Sequence, residues 1–89
     1  MENEPGTSLR AERERDPAAF ARQVAEIRAT LRRHLDEVSL RQAAREVGMS
    51  ATGLSKFLGG AEPYIRTVGK LRAWHAARVG ARRDRPGDA

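Results

Sequence analysis

The sequence predicts an all-α domain of four helices, and three observations carry that prediction. Large apolar residues recur three or four positions apart from Phe20 to Val38 and again from Ile65 to Trp74. That spacing places them on one face of a helix. Between these stripes, two short segments each follow a serine and end at a glycine, Ser39 to Gly48 and Ser50 to Gly59, the punctuation of two short helices. No stretch alternates apolar and polar residues as a half-buried strand does. The 89 residues suffice for one such domain and are too few for a second core.

Taken in order, residues 1–15 carry Pro5-Gly6, many charges and a single large apolar side chain, Leu9. So little apolar surface predicts a mobile tail. Asp16-Pro17 then marks a helix start, the aspartate as N-cap and the proline at the first helical position, where a missing N–H costs nothing. The first helix, 17–37, carries Phe20, Val24, Ile27, Leu31 and Leu35 on its stripe, with Val38 following and Arg22, Arg28, Arg32 and Arg33 largely outside it.

Ser39-Leu40-Arg41-Gln42 reads as a capping box, in which the serine hydroxyl accepts the glutamine N–H and the glutamine side chain returns to the serine N–H. It opens a second helix, 40–47, and Gly48 supplies the positive φ that closes it. Ser50 caps a third helix, 51–58, which Gly59-Gly60 stops. A fourth helix, 64–80, carries Ile65, Val68, Leu71, Trp74 or His75, and Val79. Gly69 inside it costs roughly 1 kcal/mol relative to alanine, a sign of close packing there. Residues 81–89, with Pro86-Gly87, again read as a tail. The expected organisation is a tail over 1–15, a domain over 16–80 and a tail over 81–89.

The segment Ser39 to Gly60 meets the geometric demand of a helix-turn-helix. Two helices crossing steeply over a short turn bring backbone close to backbone, which calls for a small residue at Ala44 and a glycine at Gly48. Val47, Met49, Leu54, Phe57 and Leu58 are read as core. The third helix is left with small or hydroxyl-bearing side chains outside, Ala51, Thr52 and Ser55, together with Lys56. Such a face can approach a DNA groove closely, its methyls meeting thymine and its lysine meeting guanine or phosphate. The helix starts at Ser39 and Ser50 add N–H groups and positive dipole ends.

The formal charge is +5, unevenly placed. Residues 1–16 hold Arg10, Arg13 and Arg15 against five carboxylates. Residues 38–79 hold Arg41, Arg45, Lys56, Arg66, Lys70, Arg72 and Arg78 against only Glu46 and Glu62. A basic surface attracts phosphate by counterion release, so the expected partner is double-stranded DNA, and the acidic N-terminal segment is expected to be repelled from it.

GMSATGLSKFLGG, Gly48 to Gly60, followed by AEPYIRTVGKLRAW, Ala61 to Trp74, resembles the lambda repressor/Cro family of DNA-binding domains. The trailing proline and amphipathic helix matter, because resolvase, transposase and sigma-factor helix-turn-helices share the first half without the second. The resemblance spans roughly Ile27 to Val79 and implies a four-helix lambda repressor-like domain. It implies base reading by Ala51, Thr52, Gly53, Ser55 and Lys56. It also implies phosphate contacts near the helix starts and in the loop after the third helix, where the chain offers Ser39, Arg41, Arg45, Ser50, Gly60, Tyr64 and Arg66. Family members often carry glutamine at the positions held here by Leu40 and Ala51, so readout through DNA shape is expected to carry more weight.

Other chemistry finds little footing. His34 and His75 belong to no set with metal-ligand spacing, Asp36-Glu37 reads as a solvated turn, and nothing arranges Ser, His and Asp as a triad, so no enzyme, metal, cofactor or small-molecule ligand is expected. Trp74 is read as core; Tyr64 either meets phosphate or covers the core edge. No apolar run approaches the roughly 20 residues of a membrane helix, and no secretory signal is evident, so a cytoplasmic, nucleoid-associated location is expected. Phe20, Val24, Ile27, Leu31, His34 and Val38 also fit a coiled-coil seam, and Phe20, Val24 and Ile27 predict a homodimer through the first helix. The function expected is that of a small prokaryotic or phage transcriptional regulator, repressor-like, placing Ala51–Leu58 in the major groove. The alternatives are an antitoxin-like protein-interaction adaptor and non-specific nucleoid-type binding.

Overall fold

The protein, seen as a computed structural model, is described over residues 5–83, with side chains over 9–80; the outermost parts of both expected tails lie outside the described residues. The described chain is all-helical, with α1 at Pro5–Arg15, α2 at Pro17–His34, α3 at Leu40–Val47, α4 at Ala51–Leu58 and α5 at Ile65–Arg83. Five helices stand where the sequence predicts four.

The difference is α1. Residues 5–15, expected as a mobile tail, are helical, and Leu9 is only 7% exposed. Leu9 Cδ1 lies 3.5 Å from where a Cβ on Gly69 would stand, ordinary van der Waals contact, so Leu9 packs onto α5 at Gly69. Glu12 Oε1 accepts a hydrogen bond from Arg72 Nη1 at 3.0 Å. One apolar residue suffices because the socket is supplied from a distant part of the chain.

Asp16 separates α1 from α2 by a single residue at φ −142°, ψ 77°. Pro17 disfavours helical backbone in the residue before it, so the helix must break there. The Asp16 side chain accepts the Ala19 N–H at 3.1 Å, the expected cap.

α2 ends at His34, three residues short of the expected 37. The chain tightens at once: Asp36 N donates to Arg33 O, and Glu37 N and Val38 N both donate to His34 O. Leu35 and Val38 still pack against the core from this turn. The apolar spacing thus runs on beyond the helix.

Ser39 caps α3, its Oγ accepting Gln42 N–H at 3.1 Å. The reciprocal half of the capping box is replaced: Gln42 Nε2 donates to Glu46 Oε2 at 3.1 Å, one turn onward. The charge-assisted hydrogen bond from Nε2 to the carboxylate sets the orientation of the glutamine side chain. Gly48 takes φ 92°, ψ 37°, and its N–H and that of Met49 both donate to Ala44 O. Ser50 Oγ accepts Gly53 N–H at 3.0 Å to start α4. Gly60, at φ 111°, turns the chain out of it.

Ile27, Leu31, Ala43, Ala44, Val47, Leu54, Phe57, Leu71 and Trp74 form one buried cluster. α5 packs against α1, α2 and α3, and α4 packs against α2 and α3. Burying a side chain such as Leu54 contributes about 1.5–3 kcal/mol, so this cluster holds α3 and α4 at a set angle to the long helices. α5 continues to Arg83, past the expected end at 80. No described helix is long and apolar enough to cross a membrane.

Candidate nucleic-acid interface

α4 presents two unlike faces. Leu54 and Phe57 turn into the core, while Thr52, Ser55 and Lys56 are exposed. Ala51 and Gly53, also expected on the outward face, are half-buried: Ala51 packs against the core cluster, and a Cβ on Gly53 would meet Met49 Cε at 3.3 Å and Ser50 Oγ at 3.0 Å. The helical period explains this, since 51, 54 and 58 share one side and 52, 55 and 56 the other. The outward surface of α4 therefore narrows to two hydroxyls and one ammonium.

Three basic side chains set α4 and its turn in place. Arg28 Nε donates to Phe57 O at 2.7 Å and its Nη2 to Ala61 O at 3.3 Å; its guanidinium lies 4.5 Å from the Phe57 ring centroid. Arg32 Nη2 donates to Leu58 O. Both cations sit at the negative end of the α4 dipole and add donors to its last carbonyls, Phe57 O (which also accepts Gly60 N–H) and Leu58 O. Lys70 Nζ donates to Gly48 O at 3.0 Å, bracing the turn from α5. Arg72 is held by Glu12.

The α3 end of the assembly is organised by Glu46. Its Oε1 accepts from His34 Nε2 at 2.8 Å and from Trp74 Nε1 at 3.3 Å, and its Oε2 from Gln42. The ring nitrogen facing an ionised carboxylate must be the donor, and His34 Nδ1, buried, has no partner. The Gln42 hydrogen bond does most to hold the Glu46 carboxyl below its ordinary value of 4.5; burial opposes it, and the His34 and Trp74 hydrogen bonds lower it further. This carboxylate ties α2, α3 and α5 together beneath the turn. Its role was not read from the sequence, where Glu46 counted only as a stray negative charge.

Of the remaining phosphate candidates, Arg41, Arg45 and Arg66 are exposed, as are Ser39, Ser50 and Gly60. The hydroxyls of Ser39 and Ser50 are engaged as caps. Tyr64 is 84% exposed, which settles its position off the core edge. A groove of about 220 Å³ runs between α4 and the start of α5, and Lys56, Gly53 and Tyr64 all line it. Lys56 and Tyr64, proposed for different contacts, thus border one depression. Arg41 and Arg45 lie apart from it on α3.

Trp74 is in the core, and Arg78 lies over its ring at 5.1 Å. Among the described residues, no group of three His, Cys, Asp or Glu side chains converges as a metal site. Ile27, expected at a dimer seam, is 1% exposed and part of the core cluster. It is closed to a partner, whereas Phe20 is half-buried beside α1 and the loop before α5.

No protein-family model, curated protein or solved structure matches the chain.

Proposed function

We propose that the protein is a double-stranded DNA-binding regulator, without enzymatic activity, that inserts α4 into the major groove. The observation that carries this reading is the pair α3–α4 joined over Gly48-Met49-Ser50, with both helix starts capped by serine and the exposed side of α4 holding Thr52, Ser55 and Lys56 and no acidic residue. A groove-reading helix needs short polar side chains outside and firm support behind, and Leu54, Phe57, Arg28 and Arg32 supply the support. The resemblance of Gly48 to Trp74 to the lambda repressor/Cro family points the same way. Arg41, Arg45 and Arg66 would take phosphates and set the register, while few base contacts are available, so preference would rest largely on DNA shape.

Lys56→Glu combined with Thr52→Glu tests the reading. Both positions are exposed, so thermal unfolding should match the wild type within about 0.5 kcal/mol, while duplex binding followed by fluorescence anisotropy should be lost. Normal binding by a folded double variant would exclude α4 as the reading helix. A protein-interaction adaptor is the other reading of the same helices, and it predicts no wild-type binding to duplex at low salt.

A further inference from the structure

The helix α1 changes what the N-terminal segment can do. Leu9 and Glu12 face α5, the one seated at Gly69 and the other bonded to Arg72. Arg10 and Arg13, one residue further round and three apart, share the neighbouring side of the helix. They line a shallow groove of about 840 Å³ whose other wall includes Tyr64, Arg66 and Thr67, with Glu62 as its single carboxylate. Three guanidiniums thus meet one acid. None of the three makes an ion pair or hydrogen bond among the described residues. Tyr64 and Thr67 also line the smaller groove that Lys56 borders, so the two depressions form one continuous surface from α4 to α1.

We propose that α1 is a second phosphate clamp, in which Arg10 and Arg13, with Arg66 and Tyr64, take a stretch of DNA backbone next to the one faced by α4. The inference rests on the DNA-binding reading above and extends its footprint to an element that the sequence assigned to a repelled tail. The net acidity of residues 1–16 is not the relevant quantity. Once α1 is helical, Glu12 is turned to α5 and neutralised by Arg72, and the two arginines are sorted onto the groove side. Guanidiniums suit this task because their planar fork matches phosphate oxygens and stays charged at all working pH values.

The test compares the salt dependence of binding to a fluorescent random-sequence duplex of roughly 20 base pairs, about two helical turns, for the wild type and for Arg10→Gln with Arg13→Gln. Each phosphate contact contributes about 0.9 to the slope of log K against log salt, so the double variant should show a slope shallower by about 1.8. Between about 50 and 200 mM salt the wild type should then lose about tenfold more affinity than the variant. Removing two charges from exposed α2 positions that line neither groove, Arg22→Gln with Arg33→Gln, should leave the slope unchanged. An unchanged slope in the α1 variant, with wild-type unfolding, overturns the clamp while leaving the DNA reading in place. An equal fall in both variants assigns the effect to net charge and also overturns it. A wild type that does not bind duplex removes the DNA reading itself.

Discussion

Glu46→Ala is the substitution whose cost the structure defines most closely. It removes the acceptor for His34 Nε2 at 2.8 Å and for Trp74 Nε1 at 3.3 Å, both on buried side chains, and for Gln42 Nε2 at the surface. A buried donor left without a partner costs about 1–3 kcal/mol, and the longer Trp74 bond adds about 0.5–1 kcal/mol. Water replaces the Gln42 contact, so it adds little. The expected loss is about 1.5–4 kcal/mol, a fall in Tm on the order of 6–30 °C for a domain of this size, read by urea and thermal unfolding near pH 7. Glu46→Gln separates shape from charge, because its amide oxygen can still accept from His34. The sign of the pH dependence follows from the lowered carboxyl. A group held below its unfolded value stabilises above pH 4.5 and loses that contribution as pH falls through the folded value. Wild-type stability should therefore drop in that acid range more steeply than that of Glu46→Gln. A Glu46→Ala protein within about 0.5 kcal/mol of wild type would refute the claim that this carboxylate ties α2, α3 and α5 together.

Three further outcomes follow from other elements. Gly48→Ala must place a Cβ at φ 92°, which costs about 1–2 kcal/mol by chemical unfolding; an equally stable variant would mean the turn relaxes. Leu9→Ala should loosen α1 and cost about 2–3 kcal/mol, with amide exchange rising over residues 9–15 ahead of the core; protection unchanged there would mean that α1 is not held by Leu9. A homodimer through α2 would have to use Phe20 rather than the buried Ile27, so Phe20→Glu should convert a dimeric sedimentation mass at tens of micromolar to a monomeric one, and a wild type already monomeric contradicts the dimer.

What could be read in advance divides along physical lines. The local signals were legible: Asp16-Pro17, Ser39, Gly48, Ser50 and Gly60 act through their own backbone and nearest neighbours, and α3 and α4 begin and end where they indicate. Gly69 pointed to close packing, though not to its partner. What escaped was settled across the chain. Leu9 is too little to order a helix until it packs on α5 at Gly69, sixty residues away in sequence, and Glu46 gains its role only when His34 and Trp74, 12 and 28 residues away, are brought to it. Arg28 and Arg32 lie outside the apolar stripe, and their role depends on carbonyls at the end of α4, 29 and 26 residues away. The outward face of α4 was legible in type and overstated in extent, since Ala51 and Gly53 lie half-covered.

The central claim, that α4 reads duplex DNA, is tested most directly by titrating the protein against a random-sequence duplex pool across salt and sequencing what is retained. The account predicts a steep salt slope and an enriched motif, weak in single-base content if shape dominates. No retention even at low salt would contradict it, and a steep slope with no enrichment would reduce the protein to non-specific backbone binding.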